Sequence, residues 1–248
     1  MDTPVPEKAD AVRRLREHLA DVRELRAAAR AAPALARARR ALREWQAARL
    51  ARTHRDLLDS PRYGAAAAFF LSDLYGTKDF AARDEGIARI LPRLARVLPA
   101  TALDAIALAV ELDALSERLD LAVVRHLRRG QPEGPLVIAE ASYADAFRAT
   151  AARSERERQI ALVVRIGTEL DRLARKRLVA GAIAMMEAPA RAVGLEALHD
   201  FLARGFRTFR TMRGAQEFLA TIAARETWII EQLYAGARQP FALPAPEG

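Results

Sequence analysis

Apolar residues recur three and four positions apart along almost the whole chain, and no stretch alternates apolar with polar over the length of a strand. Ala, Leu, Arg and Glu dominate, and all four are strong helix formers. The pattern predicts an all-α fold: a single multi-helix, bundle-like domain of about 8–10 helices. Punctuation places the elements. A first helix is expected from about Glu7 to Arg30, and Pro33 fits the first turn of a second that continues to about Leu58. Ser60 followed by Pro61 reads as an N-cap with proline at the first helical position, opening a third helix, PRYGAAAAFFLSDLY, that stops at Gly76. Asp79 can cap a fourth, interrupted or kinked at Pro92. A long fifth helix, about Thr101 to Arg129, is apolar nearly all round and should be central.

Residues 130–136, GQPEGPL, are the clearest break, read as a loop because neither half of the chain looks self-sufficient. Further helices are expected near 138–152, from a Ser154/Glu157 capping box to about Arg177, and near 178–188, 195–212 and 215–235. The ending QPFALPAPEG cannot continue a helix and reads as an unpacked tail. The expected divisions are thus an N-terminal basic helix over 1–32, an all-helical domain over 33–236 and a tail over 237–248.

Several polar residues fall on faces that should be apolar. On the second helix Leu35, Ala38, Leu42 and Trp45 share a face that continues as Arg49, Arg52, Thr53 and Asp56. On the fifth, Asp104, Glu111, Arg118 and Arg125 make the plainly exposed line. Asp113, Glu117 and Asp120 instead share the arc of Ile106, Val110, Leu121 and Val124. On the last helix Glu226 interrupts the stripe Phe218, Ile222, Ile229 and Leu233, and His199 lies between Leu195 and Phe206 on its own helix. A charge taken from water costs several kcal/mol unless paired. Arg49 or Arg52 is therefore expected to pair with Glu117 and Glu226, and the alternative is a polar pocket between helices. The aromatic residues Trp45, Phe69, Phe70, Phe206, Phe209 and Phe218, with Ile229, are expected to be buried together.

Composition narrows the chemistry. Of 248 residues 51 % are apolar and 29 % charged, a soluble globular mixture, and the lack of cysteine excludes disulfides, zinc–thiolate sites and a cysteine nucleophile. The charged N-terminus does not read as a secretory leader, and no charge-free stretch is long enough to span a bilayer, so a cytoplasmic location is expected. The net charge of +8 comes from 40 basic and 32 acidic residues. Its excess lies in the first two helices, mainly Arg23, Arg26, Arg30, Arg37, Arg39, Arg40 and Arg43, and reads as a solvated basic face. Only Trp45 is there to stack a base, so nucleic acid is not the expected partner.

Glu196 and His199 form one Glu-x-x-His pair where a di-iron bundle needs two, and the chain has only four histidines. Nucleophile-elbow, phosphate-loop and dinucleotide-binding patterns are absent. Asp113, Glu117 and Asp120 could hold a divalent cation, but arginine partners are the more ordinary arrangement, and no cofactor is expected. Around the turn at Gly76, Asp73, Tyr75, Asp79, Arg83 and Asp84 concentrate polar groups that could wall a site. Asp79 capping its own helix, with Arg83 or Arg89 reaching Asp73, is the simpler reading.

The surrounding string FFLSDLYGTKDFAARDEGIARILPRLARVLP, then ALAVELDALSERLD, RGFRTFRTM and FLATIAARE, resembles an uncharacterised bacterial family of helical proteins with an FFL-x-DLYG, RD and LP pattern. The resemblance covers most of residues 42–235 and implies one all-helical domain with no known activity or catalytic residue. The residues together point to a non-enzymatic interaction or regulatory protein with a protein partner. The alternative is a bundle with an internal polar pocket for a small ligand, haem or metal, with enzymatic activity open.

Overall fold

The computed structural model describes residues 8–74, 81–97, 100–192 and 196–244, some helical residues in their backbone only. In chain order the helices are α1 (Lys8–Arg30), α2 (Pro33–Thr53), α3 (Arg55–Asp59), α4 (Gly64–Phe69), α5 (Ala81–Val97) and α6 (Ala100–Gly130). They continue as α7 (Glu140–Thr150), α8 (Arg153–Ala174), α9 (Arg177–Met185), α10 (Glu187–Ala192), α11 (Glu196–Met212) and α12 (Gln216–Tyr234). A single π-helical turn, Phe70–Leu74, prolongs α4. Among the described residues there is no strand, and the fold is all-α.

Two of the twelve helices exceed the expected count. His54, with φ −114° and ψ 30°, ends α2 and starts α3, so the anticipated second helix is broken within its length. A short α10 follows α9. Ser60 caps a turn and not a helix: its Oγ accepts from the backbone N–H groups of Arg62 (3.3 Å) and Tyr63 (3.2 Å). Helix α4 begins only at Gly64, where a Cβ would lie 2.6 Å from the Leu58 carbonyl oxygen. Pro92 lies inside α5 without ending it. Burial of Ile87 and Leu91 against α1 offsets the roughly 3 kcal/mol that an interior proline costs. Helix α8 starts at Arg153, one residue before the expected cap, and Glu155 accepts the Ala152 N–H at 3.3 Å.

Helix α6 is central because it supplies all three apolar clusters. Leu108, Leu112, Leu115 and Leu119 join Phe69, Phe70, Phe209 and Phe218, with Phe206 packed against them. Val123, Val124 and Leu127 join Leu42, Tyr143, Phe147 and Ile229, with Trp45 alongside. Ala107, Val110 and Ala114 join Leu15, Leu19 and Val22 of α1. The expected aromatic set is therefore divided between two clusters.

Two expectations are corrected by the way chain segments cover α6. Asp104, expected on the exposed line, is buried, accepting from Arg14 of α1 (2.6 Å) and Arg165 of α8 (3.0 Å). The chain after α12 is packed at least to Leu243. Trp228 Nε1–H donates to the Ala242 carbonyl at 3.1 Å, and Phe241 meets Trp45 edge-on at 5.7 Å between ring centroids. Apolar contact for Phe241 and Leu243 holds in place a segment whose prolines forbid helix.

Candidate functional site

Two polar assemblies flank α6. In the first, Asp113, Glu117 and Asp120 lie four and three residues apart and so project from one helical face. Arg26 of α1 donates through Nη2 to both Asp113 oxygens (2.8 and 2.9 Å) and through Nε to Glu117 (3.0 Å). Arg39 and Arg43 of α2 close on the same Glu117 carboxylate, which is 1 % exposed. Asp120 accepts from Gln46 Nε2 at 3.0 Å and lies 3.9 Å from Arg43. Burial, reinforced by the neighbouring Arg43, lowers the Arg39 guanidinium to about 10, which leaves it charged at neutral pH. Three cations thus meet three anions at the junction of α1, α2 and α6. Among the described residues no group of three or more acids and histidines is placed to hold a metal.

The second assembly walls a cavity of about 140 Å³. Its polar wall includes Arg43, Arg49, His54, Asp113, Ser116, Asp120, Arg156, Gln159 and Glu226. Its apolar wall includes Phe70, Phe147, Val163, Ile229, Leu233 and Phe241. Arg49 Nη1 donates to both Glu226 oxygens (2.6 and 2.7 Å), and His54 Nε2 lies 3.0 Å from Glu226 Oε1. An ionised carboxylate only accepts, so His54 Nε2 carries a proton and donates, which leaves Nδ1 to find its own partner. That Nδ1 is buried without a hydrogen bond. Burial alone would push the Glu226 carboxyl up, but Arg49 and His54 outweigh it and hold it down to about 2.

Arg156 differs from every other arginine on this wall. It is 4 % exposed, and its guanidinium lies over the Phe147 ring at 4.1 Å from the centroid. Its Nη1 donates to Gln159 Oε1 at 3.4 Å, while Gln159 is oriented by its own donation to Ser116 Oγ at 3.0 Å. Nε and Nη2 of Arg156 are buried without a hydrogen-bond partner. A wider surface cleft of about 340 Å³ between the ends of α8 and α11 carries Arg175, Arg210 and Arg213, but its arginines are exposed to water.

The sequence-derived layer is therefore only half assembled as expected. Arg49 does pair with Glu226, but Glu117 is taken by Arg26, Arg39 and Arg43. Arg52 points outward, 3.5 Å from the exposed Glu140. Asp56 is exposed as well, bridged by Arg225 at 2.6 and 2.8 Å. Asp56 follows the break at His54, which takes α3 out of the phase of an unbroken helix, while Arg52 lies before it on the outer side of α2. Arg26, Arg39 and Arg43, expected on a solvated face, turn inward because Glu117 needs cations. His199 is satisfied by the Ile183 carbonyl at 2.9 Å. Tyr75 and Asp79 lie outside the described residues, as do the side chains of Asp73, Arg83 and Asp84.

His54, Gln46, Arg156, Gln159 and Phe241 were missed. For Arg156 the signal was present, because Arg156, Ile160 and Val163 share the spacing of a core stripe on α8. Phe241 left none, since it stands in a proline-rich ending.

The fold and site define an all-helical protein with buried charge around a central helix and a polar-walled cavity beside it. Residues 25–240 match the family model described as a domain of unknown function (DUF8198), and the chain belongs to that family. No curated protein and no solved structure matches the chain. Among the described residues, no helix is long and apolar enough to cross a membrane.

Proposed function

We propose that this chain is a regulatory or interaction protein, not an enzyme, whose working part is the interior cavity, where it holds a small organic molecule. The observation that carries this reading is a cavity whose charged wall is already fixed in position by its own ion pairs. A cavity of about 150 Å³ accommodates a molecule the size of benzene, so the ligand is of that order. Binding is favoured over catalysis because each carboxylate on the wall is engaged by arginine, glutamine or histidine, which leaves none poised as a general acid or base.

Regulation follows from the construction of the wall, which draws on α2, α3, α4 with its π-helical turn, α6, α7, α8, α12 and the segment at Phe241. Occupancy therefore bears on seven helices at once, and a protein partner would read their arrangement. The test is thermal unfolding of the purified protein against a panel of small aromatic and aliphatic molecules, with native mass spectrometry for a co-purified one. The expected result is stabilisation by a subset of the panel, competing for one site. Failure of every member to stabilise, together with no bound mass, would overturn the reading.

A further inference from the structure

We infer that Arg156 is an anion clamp, and that the cavity takes a small monocarboxylate whose charge meets the free edge of this guanidinium and whose body lies on the apolar wall. The inference rests on the ligand-binding reading of the cavity and adds the chemistry of the ligand.

The first ground is geometric. Arg156 uses the face of its guanidinium on Phe147 and its Nη1 on Gln159, leaving Nε and Nη2 without partners. Those two nitrogens form one side of the planar fork, and their N–H bonds run parallel. That edge matches the two oxygens of a carboxylate or of a phosphoryl group. A neutral carbonyl offers those two parallel donors a single oxygen and no charge to offset the cation.

The second ground is charge. On the wall, Arg49 is matched by Glu226, and Arg43 lies between Glu117 and Asp120. Behind it, Arg26 is matched by Asp113, and Arg39 closes on Glu117. The arginines Arg26, Arg39, Arg43, Arg49 and Arg156 face the acids Asp113, Glu117, Asp120 and Glu226. Those five cations outnumber the four acids by one, and among the described residues Arg156 has no carboxylate within ion-pair distance. A buried cation without a counter-ion is a standing cost, and such costs collect where a ligand is to be bound.

The third ground is size. One uncompensated charge calls for one negative charge, and the cavity volume suits a short or single-ring acid better than a dianionic phosphate ester. Apolar contact is at hand from Phe147, Val163, Ile229 and Leu233.

The experiment compares benzoate, hexanoate, benzamide and inorganic phosphate by thermal shift and by the fluorescence of Trp45, which packs on Tyr143 and Phe241 of the cavity wall. Ligands are taken to about 10 mM at constant ionic strength, where even millimolar affinity raises the melting temperature. The proteins are wild type, Arg156→Met and Arg156→Lys.

Stabilisation of the wild type by benzoate or hexanoate, but not by phosphate, is expected. Arg156→Met should weaken the carboxylate by roughly 10–100-fold, the effect of losing charge-assisted hydrogen bonds. Arg156→Lys should recover part of that loss, because it keeps the charge and gives up the fork. It also serves as the readout if the methionine protein does not fold. Benzamide binding wild type and Arg156→Met equally, with no gain for the acids, would overturn the clamp and leave the cavity reading standing. Phosphate stabilising the wild type in place of both acids would overturn the carboxylate assignment. No response to any of the four ligands would overturn both the clamp and the cavity reading beneath it.

Discussion

The Glu117 junction and the Arg156 cavity adjoin, sharing Arg43, Asp113 and Asp120, and both bury arginine, yet they are built to opposite rules. At Glu117 three guanidiniums converge on a carboxylate that is 1 % exposed, with Asp113 and Asp120 completing an even balance of charge. At Arg156 one guanidinium is just as buried, but it has a ring on its face, an amide on one nitrogen and nothing on its other edge. The first arrangement locks α1 and α2 onto α6. The second leaves a donor pair waiting. Burial of charge alone separates neither from the other, and it is the count of partners that does.

Breaking the junction should have the largest consequence. Glu117→Gln removes the shared anion of Arg26, Arg39 and Arg43 and is expected to destabilise by about 3–5 kcal/mol, enough to unfold a marginal protein. Urea denaturation of the variant beside wild type measures it, and a loss below about 1 kcal/mol would show that α1 and α2 are held by apolar contact alone.

Glu226→Gln should cost somewhat less, about 2–4 kcal/mol, because the Glu226 side chain borders a cavity and is 15 % exposed where that of Glu117 is fully buried. It also carries a pH signature. The folded carboxyl is held at about 2 against an ordinary 4.5, so its contribution is complete above pH 4.5 and fades as the pH falls toward 2. Denaturant midpoints taken through that window should fall more steeply for wild type than for Glu226→Gln. Parallel slopes would contradict the pairing.

Smaller again is the chain end. Phe241→Ala uncovers Trp45 and Tyr143 and should cost about 1–3 kcal/mol, with a change in tryptophan emission as the wall of the cavity opens. The least is expected of Asp56→Asn. Its bridge to Arg225 pulls the Asp56 carboxyl down, chiefly through the hydrogen bond from the guanidinium, but the pair is solvated. Less than about 1 kcal/mol should follow.

Helical periodicity made α1, α6, α7, α8, α11 and α12 legible, because each carries an apolar stripe long enough to outweigh its exceptions. Glu117 and Glu226 were legible as anomalies for the same reason: one polar residue inside a stripe is conspicuous. Their partners were harder. Arg49 and Arg52 are the expected partners of Glu117 because they prolong the apolar face of α2, whereas Arg39 and Arg43, one residue round from Ala38 and Leu42, hold it. Arg26 was counted with the basic surface although Leu15, Leu19, Val22, Arg26 and Ala29 keep one face throughout. The cavity itself is not legible in the sequence, since it depends on how seven helices and the segment at Phe241 close on one another, a matter of distance and not of period.

The most direct test of the contrast is the stability of Arg156→Met in ligand-free buffer, set against Glu117→Gln. If Arg156 is an uncompensated cation held for a ligand, the methionine protein unfolds at the same or a higher urea concentration than wild type, while Glu117→Gln falls far below it. A loss for Arg156→Met comparable to that of Glu117→Gln would contradict the account, because Arg156 would then be a structural member of the core like Arg26.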